Sequence, residues 1–412
     1  MSLVLTVHRG TRQIGGSCIE LAHPHGDRLI LDAGRPLDAP DGATGLLPAS
    51  LDRKRPATVL ISHPHQDHWG LVEELPTAWP IWTGPGAAKL IAVTGDIRRR
   101  PLSRTFATWD GRAGPFAVGP FTITPMLTDH SAFDAYMLLV EGAGKRVLYT
   151  GDFRRHGHKS ALVDRMMAHP PADLDVLLTE GTNLGADKPV KSETALENDF
   201  VDLFARTRGR VFVAWSGQNI DRTVTIYRAA IRTGRTLAID LYTADVLDRI
   251  AAGTRLPRAG SANLTVVVTR GLRSTYRKQG RADFVARMAP HGISAKRLQG
   301  GRQVIMLRRG LLRDYQEAGV VPTAEDACNF SMWRGYLSDP HHAEAVDWCT
   351  AAGAELAHLH TSGHASPADL RAFAAALRPK LVVPVHGVKW DEEAHGFGAV
   401  RRLADGEPLV IP

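Results

Sequence analysis

The stretch Ile61-Ser62-His63-Pro64-His65-Gln66-Asp67-His68-Trp69-Gly70 sets three imidazoles and a carboxylate within six positions, directly behind the apolar run Ala57-Thr58-Val59-Leu60-Ile61-Ser62. Neutral imidazole and carboxylate suit zinc and similar divalent ions, whereas clustered thiolates would indicate a closed structural site. In an extended segment His63 and His65 point the same way, while adjacent Asp67 and His68 point to different sides. One loop can therefore serve two neighbouring ions, His63 with His65 on one and Asp67 with His68 on the other. The alternative is a surface turn that happens to be rich in histidine. The apolar run reads as a buried strand, and Gly70 as the opening of a helix through Leu71, Val72 and Leu75. The cluster then lies at a strand end, where sites gather in layered α/β proteins.

A chain of 412 residues is too long for one small core and implies two or three domains. No apolar run approaches the ~20 residues that cross a bilayer, so no membrane association is expected. The start, Met1-Ser2-Leu3-Val4-Leu5-Thr6-Val7, reads as a first strand and not as a signal peptide. Cys18, Cys328 and Cys349 are far apart and odd in number, which argues against a disulfide framework and for a reducing cytoplasm. The net charge of +7 fits a polyanionic partner, and equally fits a merely arginine-rich chain.

Residues 1–62 read as a β-meander, with runs at Leu3 to Val7, Ser17 to Leu21, Arg28 to Asp32 and Thr58 to Ser62. Asp32, at a strand end before a glycine turn, is either a turn carboxylate or a residue that holds a ligand histidine by hydrogen bond. His130 and Asp152 also fall at or just beyond strand ends, as the first cluster does, and are read as further ligands. Asp152 is the candidate to bridge two ions, because a carboxylate can hold a pair of cations about 3.5–4 Å apart. Glu180 closes another strand.

From about Leu184 helices and strands alternate regularly, the mark of βαβ units and a parallel sheet. Basic residues concentrate there: Arg270, Arg273, Arg277 and Lys278, then Arg297, Arg302, Arg308 and Arg309. Trp215, Tyr276 and Trp333 belong to the same segment and are candidates to stack unpaired bases, or else core residues with arginines outside. The last 60 residues return to histidines at strand ends, His358, His360 and His364, then His386. The stretch Thr361 to His364, beside a helix start at Ser366-Pro367, is either a phosphate cradle or a helix cap with a spare histidine.

Together these residues resemble the metallo-β-lactamase superfamily and, within it, the β-CASP nucleases of the ribonuclease J group. The motif HxHxDH stands here as His63-Pro64-His65-Gln66-Asp67-His68. His130 and Asp152 match the next ligand positions, Glu180 in Glu180-Gly181-Thr182-Asn183 the acidic β-CASP motif, and His364 and His386 the late histidines. Both of the latter pairs, His130 with Asp152 and His364 with His386, are 22 positions apart. The resemblance implies a four-layered αββα metallo-β-lactamase domain from 1–184 and 356–412, interrupted by an inserted β-CASP α/β domain at 185–355. In ribonuclease J a linker and a small C-terminal domain that supports dimers follow; this chain stops 26 residues after His386, so a homodimer is left open.

The resemblance also implies the chemistry. Two zinc ions, with manganese or magnesium as alternatives, would be held by His63, His65 and His130 on one side, by Asp67, His68 and His386 on the other, and by Asp152 between. His364 and Glu180, with Asp67, would act catalytically. His360, Ser362, Gly363 and His364 would receive a substrate phosphate. The expected activity is hydrolysis of single-stranded RNA, 5′-to-3′ and internally. Single-stranded DNA, a small ester or thioester, and metal-free RNA binding without catalysis are the alternatives.

Overall fold

The computed structural model describes residues 2–111, 113–186 and 190–412. The chain forms two compact units: Met1–Ala92, Pro101–Val190 and Gly363–Pro412 in one, and Val93–Arg100 with Lys191–Ser362 in the other. The second unit thus joins 93–100 to the later segment. At the second unit's ends the Thr361 hydroxyl donates to the Lys191 carbonyl (2.7 Å).

In the first unit a seven-stranded sheet runs in the order Pro408–Val410, Val4–Arg9, Cys18–Ala22, Arg28–Leu31, Thr58–Ile61, Ile81–Thr83, Ala107–Thr108. A six-stranded sheet runs in the order Leu381–Pro384, Val176–Thr179, Lys145–Tyr149, Tyr136–Gly142, Phe121–Leu127, Phe116–Val118. Period-two alternation decides which side chains meet between them. Leu5, Val7, Leu21 and Leu31 from one sheet and Leu138, Val140, Val147 and Leu178 from the other share one core. The alternate residues Met137, Leu139, Leu148 and Leu177 pack with Val163, Leu370 and Phe373 of the helices Ser160–Ala168 and Pro367–Leu377. Ile30, Val59 and Ile61 pack with Trp69, Trp79 and Ile91 on the far side of the first sheet. The result is the four-layered αββα order.

Two local expectations need correction. The first four strands are not a meander throughout, because Arg28–Leu31 pairs with Thr58–Ile61 in parallel. Parallel pairing requires a crossover instead of a tight hairpin, and residues 32–57 make it. Nor does Gly70 open a helix. A single turn, Gln66–Trp69, ends there, and a 3-10 turn follows at Val72–Glu74. The Leu71 amide donates to the Ala33 carbonyl (2.9 Å), outside any helix, so the helix cannot propagate.

The second unit holds a seven-stranded sheet in the order Gly292–Ile293, Leu264–Val267, Leu237–Asp240, Val304–Leu307, Val211–Ala214, Ala327–Phe330, Glu355–Ala357. Its pairings are parallel. The side chains of Ser192, Asn219, Asp240 and Thr269 cap the helices Glu193–Arg206, Ile220–Arg232, Leu241–Ile250 and Arg270–Lys278 by accepting a first-turn amide. Two of the aromatics considered for base stacking are core residues. Trp215 is buried and donates Nε1–H to Thr223 Oγ1 (2.9 Å), and the buried Tyr276 donates its hydroxyl to Asp245 (3.0 Å). Among the basic residues, Arg308 lies against Asp240 and over the Tyr242 ring. Arg270 and Arg309 pair with Glu317 and Glu344, whereas Arg273, Arg277 and Lys278 stand exposed along their helix. Cys18, Cys328 and Cys349 are free and buried. Among the described residues no helix is long and apolar enough to cross a membrane.

Candidate metal centre

The histidine loop is held against the crossover by a run of backbone hydrogen bonds. Ser17 N–H donates to Asp67 O (3.1 Å), Ala33 N–H to His68 O (2.7 Å) and Arg35 N–H to Gln66 O (3.0 Å). Gly34 sits so close that a Cβ there would overlap the Asp67 carbonyl. This zipper sets the directions of Asp67 and His68. Asp152 follows the strand Lys145–Tyr149 through Gly151, whose φ of 51° and contact with Ser62 favour glycine. His386 is itself left-handed (φ 49°), with its amide donating to Gly10 O (2.7 Å) and its carbonyl accepting from Gly181 N–H (3.1 Å).

These constraints bring His63, His65, His130 and Asp152 together as one group of potential ligand atoms, and Asp67, His68, Asp152 and His386 as a second, each within 4.8 Å. Asp152 belongs to both. Hydrogen bonding assigns the ring protons. Ser62 Oγ gives its hydrogen to Asp32 Oδ2 (2.7 Å), so it accepts from His63 Nδ1–H (3.0 Å). His68 Nδ1–H donates to Asp32 Oδ2 (2.6 Å), His130 Nδ1–H to Gly363 O (2.6 Å) and His386 Nδ1–H to Thr182 Oγ1 (2.9 Å). All four rings therefore turn Nε2 inward, toward carboxylate oxygens or toward the ring nitrogen of His65. His68 Nε2 lies 3.2 Å and His63 Nε2 3.6 Å from Asp152 Oδ2; His386 Nε2 lies 3.2 Å from Asp67 Oδ2 and His130 Nε2 3.1 Å from His65 Nδ1. Each of these close approaches needs a positive charge between its atoms, either a ring proton or a metal cation. His63 Nε2, His68 Nε2 and Asp152 Oδ1 are buried and have no hydrogen-bond partner among the described residues. The residues present fit divalent metal binding.

The electrostatics agree. Burial, then the neighbouring imidazoles, pushes His63 and His130 well below the usual histidine range, and burial lowers His65 as well, which keeps these rings neutral. Burial opposes charge on His68 too, but Asp152, Asp32 and Asp67 outweigh it and hold that ring well above its usual value. The same carboxylate field favours a divalent cation. Asp152, despite burial, is held well below the usual carboxylate range by His386, His68 and His364.

A third group, Asp152, Glu180, His364 and His386, adjoins the first two. Here His364 Nδ1 is engaged by Glu180 Oε2 (2.9 Å), while Glu180 Oε1 accepts from Phe153 N–H (3.0 Å). Burial lowers His364, but Glu180 and Asp152 more than offset it and raise the ring to about 9. Glu180 thus fixes the His364 ring through Nδ1, as Asp32 fixes that of His68.

Residues 27–215 match the family model described as beta-lactamase superfamily domain, and 353–395 match the Zn-dependent metallo-hydrolase RNA specificity domain. Ribonuclease J of Helicobacter pylori (strain ATCC 700392 / 26695) is 23% identical over 407 residues, covering 94% of this chain and 56% of that protein. These matches make the chain ribonuclease J-like, with a metallo-β-lactamase domain. Ribonuclease J of Sinorhizobium meliloti is 22% identical over 432 residues, covering 94% of this chain and 70% of that protein. The chain spans little more than half the length of several of these relatives. A crystal structure of a protein of unknown function from Enterococcus faecalis V583 has the same fold, with a TM-score of 0.80 at 19% identity and full coverage of both chains.

In this ribonuclease J-like chain, Gly363 lies beneath His130, and a Cβ there would fall 2.7 Å from Ser131 Oγ. His360 is pushed down to about 3 by burial and by Arg222, so at neutral pH it can offer a phosphate a hydrogen bond and no charge. Sequence reasoning missed Ser62, Tyr149 and Thr182. Asp32 accepts from Ser62 N–H (2.7 Å), Ser62 Oγ (2.7 Å), His68 Nδ1 (2.6 Å) and the Tyr149 hydroxyl (2.6 Å), all buried. Thr182 Oγ1 is the acceptor that fixes the His386 ring, and its own hydroxyl hydrogen goes to the His386 carbonyl (3.3 Å). The inward-facing position of Tyr149 on a strand was the one available signal. Asp32→Ala strands four buried donors. Its expected cost is ~3–5 kcal/mol in chemical denaturation and ~10- to 100-fold in metal affinity by chelator competition. Unchanged metal affinity would leave Asp32 a purely structural carboxylate.

Proposed function

We propose that this chain is a metal-dependent phosphodiesterase that hydrolyses single-stranded RNA, by 5′-to-3′ exonucleolysis together with internal cuts, using two zinc ions or, in their place, manganese or magnesium. The observation that carries the reading is the convergence of inward lone pairs on Asp152 with the Glu180–His364 pair beside it. The printed names of the relatives and the RNA specificity domain over 353–395 support RNA as the substrate. The three free, buried cysteines fit a reducing cytoplasm.

His63, His65 and His130 would hold one ion and Asp67, His68 and His386 the other, with Asp152 shared. Bound ions supply Lewis acidity to the phosphoryl oxygens and lower the pKa of a water toward ~7. Asp67, beyond its ligand role, faces the same space and orients the attacking water. His364, its Nδ1 fixed by Glu180, directs Nε2 to the phosphate. As the bond from phosphorus to the 3′-oxygen breaks, that ring gives its proton to the departing oxygen or steadies the charge on the pentacovalent phosphorus. Ser362, Gly363 and His360 would receive the neighbouring phosphate through neutral donors.

Matched single strands of RNA and DNA, each with a 5′-monophosphate, 5′-triphosphate or 5′-hydroxyl, test the reading. The expected result is faster loss of RNA, with mononucleotides released from the 5′-monophosphorylated end first. Equal rates for the three ends with purely internal products would remove the exonuclease activity. DNA cut while RNA survives would reverse the substrate, and turnover of small esters alone would change the class.

A further inference from the structure

Among the described residues, Trp333 and Tyr336 are the exposed aromatic side chains, 60% and 49% open to solvent. The other seven of the eight tryptophans are buried or half-buried. The two rings meet edge to face, with centroids 5.5 Å apart and planes at 87°. The indole also rests on its own turn, because a Cβ at Gly335 would collide with its six-membered ring. The glycine turn and Tyr336 thus back the indole, which is still 60% open to solvent and offers that surface to a planar ligand.

The backbone beneath is fixed. Ser331 N–H donates to the Ala214 carbonyl (2.8 Å), and the fully buried Arg222 guanidinium donates to the Ser331 carbonyl (3.1 Å) and to its hydroxyl. His358 Nε2 donates to the Met332 carbonyl (3.0 Å). The pair follows the strand Ala327–Phe330, so it stands at the carboxyl edge of the parallel sheet, where such sheets bind ligands. Arg334, between the two aromatics, is exposed. The helix Arg270–Lys278, which follows the strand Leu264–Val267 of the same sheet, presents Arg273, Arg277 and Lys278 to solvent. A rigid, exposed aromatic face with cations on the same unit is complementary to single-stranded nucleic acid, whose bases stack and whose phosphates are anionic. An apolar peptide would have no use for the cations, and a duplex has no free base faces.

We infer that Trp333 and Tyr336 form a stacking platform for an unpaired base of the RNA. This rests on the RNA reading above and adds the residues that grip the strand in the second unit. The test titrates the full chain, in the presence of EDTA to prevent cleavage, with a single-stranded dodecamer of uridine or adenosine and with the matched duplex, following tryptophan emission and affinity at fixed salt. Saturating single strand should quench the exposed tryptophan, and duplex should not. Trp333→Ala should weaken single-strand affinity by about 5- to 100-fold, Trp333→Phe should recover most of it, and Gly335→Ala, which pushes the indole off its turn, should fall between. Melting temperatures of the variants report folding separately. The inference is overturned if Trp333→Ala binds the single strand as the parent does, or if single strand and duplex quench alike. In either case RNA cleavage by the parent chain would leave the RNA reading standing. A parent chain that neither binds nor cuts RNA would overturn both.

Discussion

Asp152→Asn is expected to bring bound metal from two ions per chain to fewer than one, and to lower phosphodiester turnover by about 10³-fold or more. Asp152 belongs to both ligand groups, and its carboxylate lies 3.2 Å from His68 Nε2 and 3.6 Å from His63 Nε2. An amide keeps the shape and loses the charge that offsets two cations among neutral imidazoles. The effect should therefore be read first in metal content, by elemental analysis of the dialysed protein, and only then in activity. The Nε2 atoms of His63 and His68 have no hydrogen-bond partner among the described residues, so the variant should also lose the thermal stabilisation that added zinc gives the parent. Two ions per chain retained in Asp152→Asn would show that the two groups do not share this ligand.

His364→Ala should separate chemistry from metal binding. On the proposed reading this ring, fixed by Glu180 (2.9 Å), serves the substrate side, and its loss should leave both ions in place. The expected fall in kcat is about 10²- to 10⁴-fold, the usual range for a positioned proton donor, with little change in KM. Glu180→Gln keeps an acceptor for the ring while removing the charge that holds it protonated, and should cost less than His364→Ala. Loss of an ion in His364→Ala would instead make Asp152, Glu180, His364 and His386 a metal group in its own right.

Much of the candidate centre could be read from the chain because metal ligation depends on residue type, and the types cluster at strand ends. His63, His65, Asp67 and His68 announce themselves within six positions, and His130, Asp152 and His386 repeat the same local context. The hydrogen-bonding supports are different in kind. Tyr149 reaches Asp32 across 117 positions and Thr182 reaches His386 across 204, and nothing local in either segment marks the partner. The zipper of 33–35 against 66–68 was equally hidden, since it depends on a parallel pairing where a meander was the local expectation.

Composition and order determined the fold class, the change of pattern near residue 184 and the chemical character of the centre, because hydrophobic period and side-chain type are properties of the chain itself. Burial is not such a property. Trp215, Tyr276 and Trp333 read alike as aromatics among arginines, and only packing put the first two into the core and left the third open. Likewise only tertiary structure turned four histidine Nε2 atoms inward. The direction of a lone pair is set by what the opposite ring nitrogen donates to, and those acceptors (Ser62, Asp32, Gly363 and Thr182) come from four separate parts of the fold.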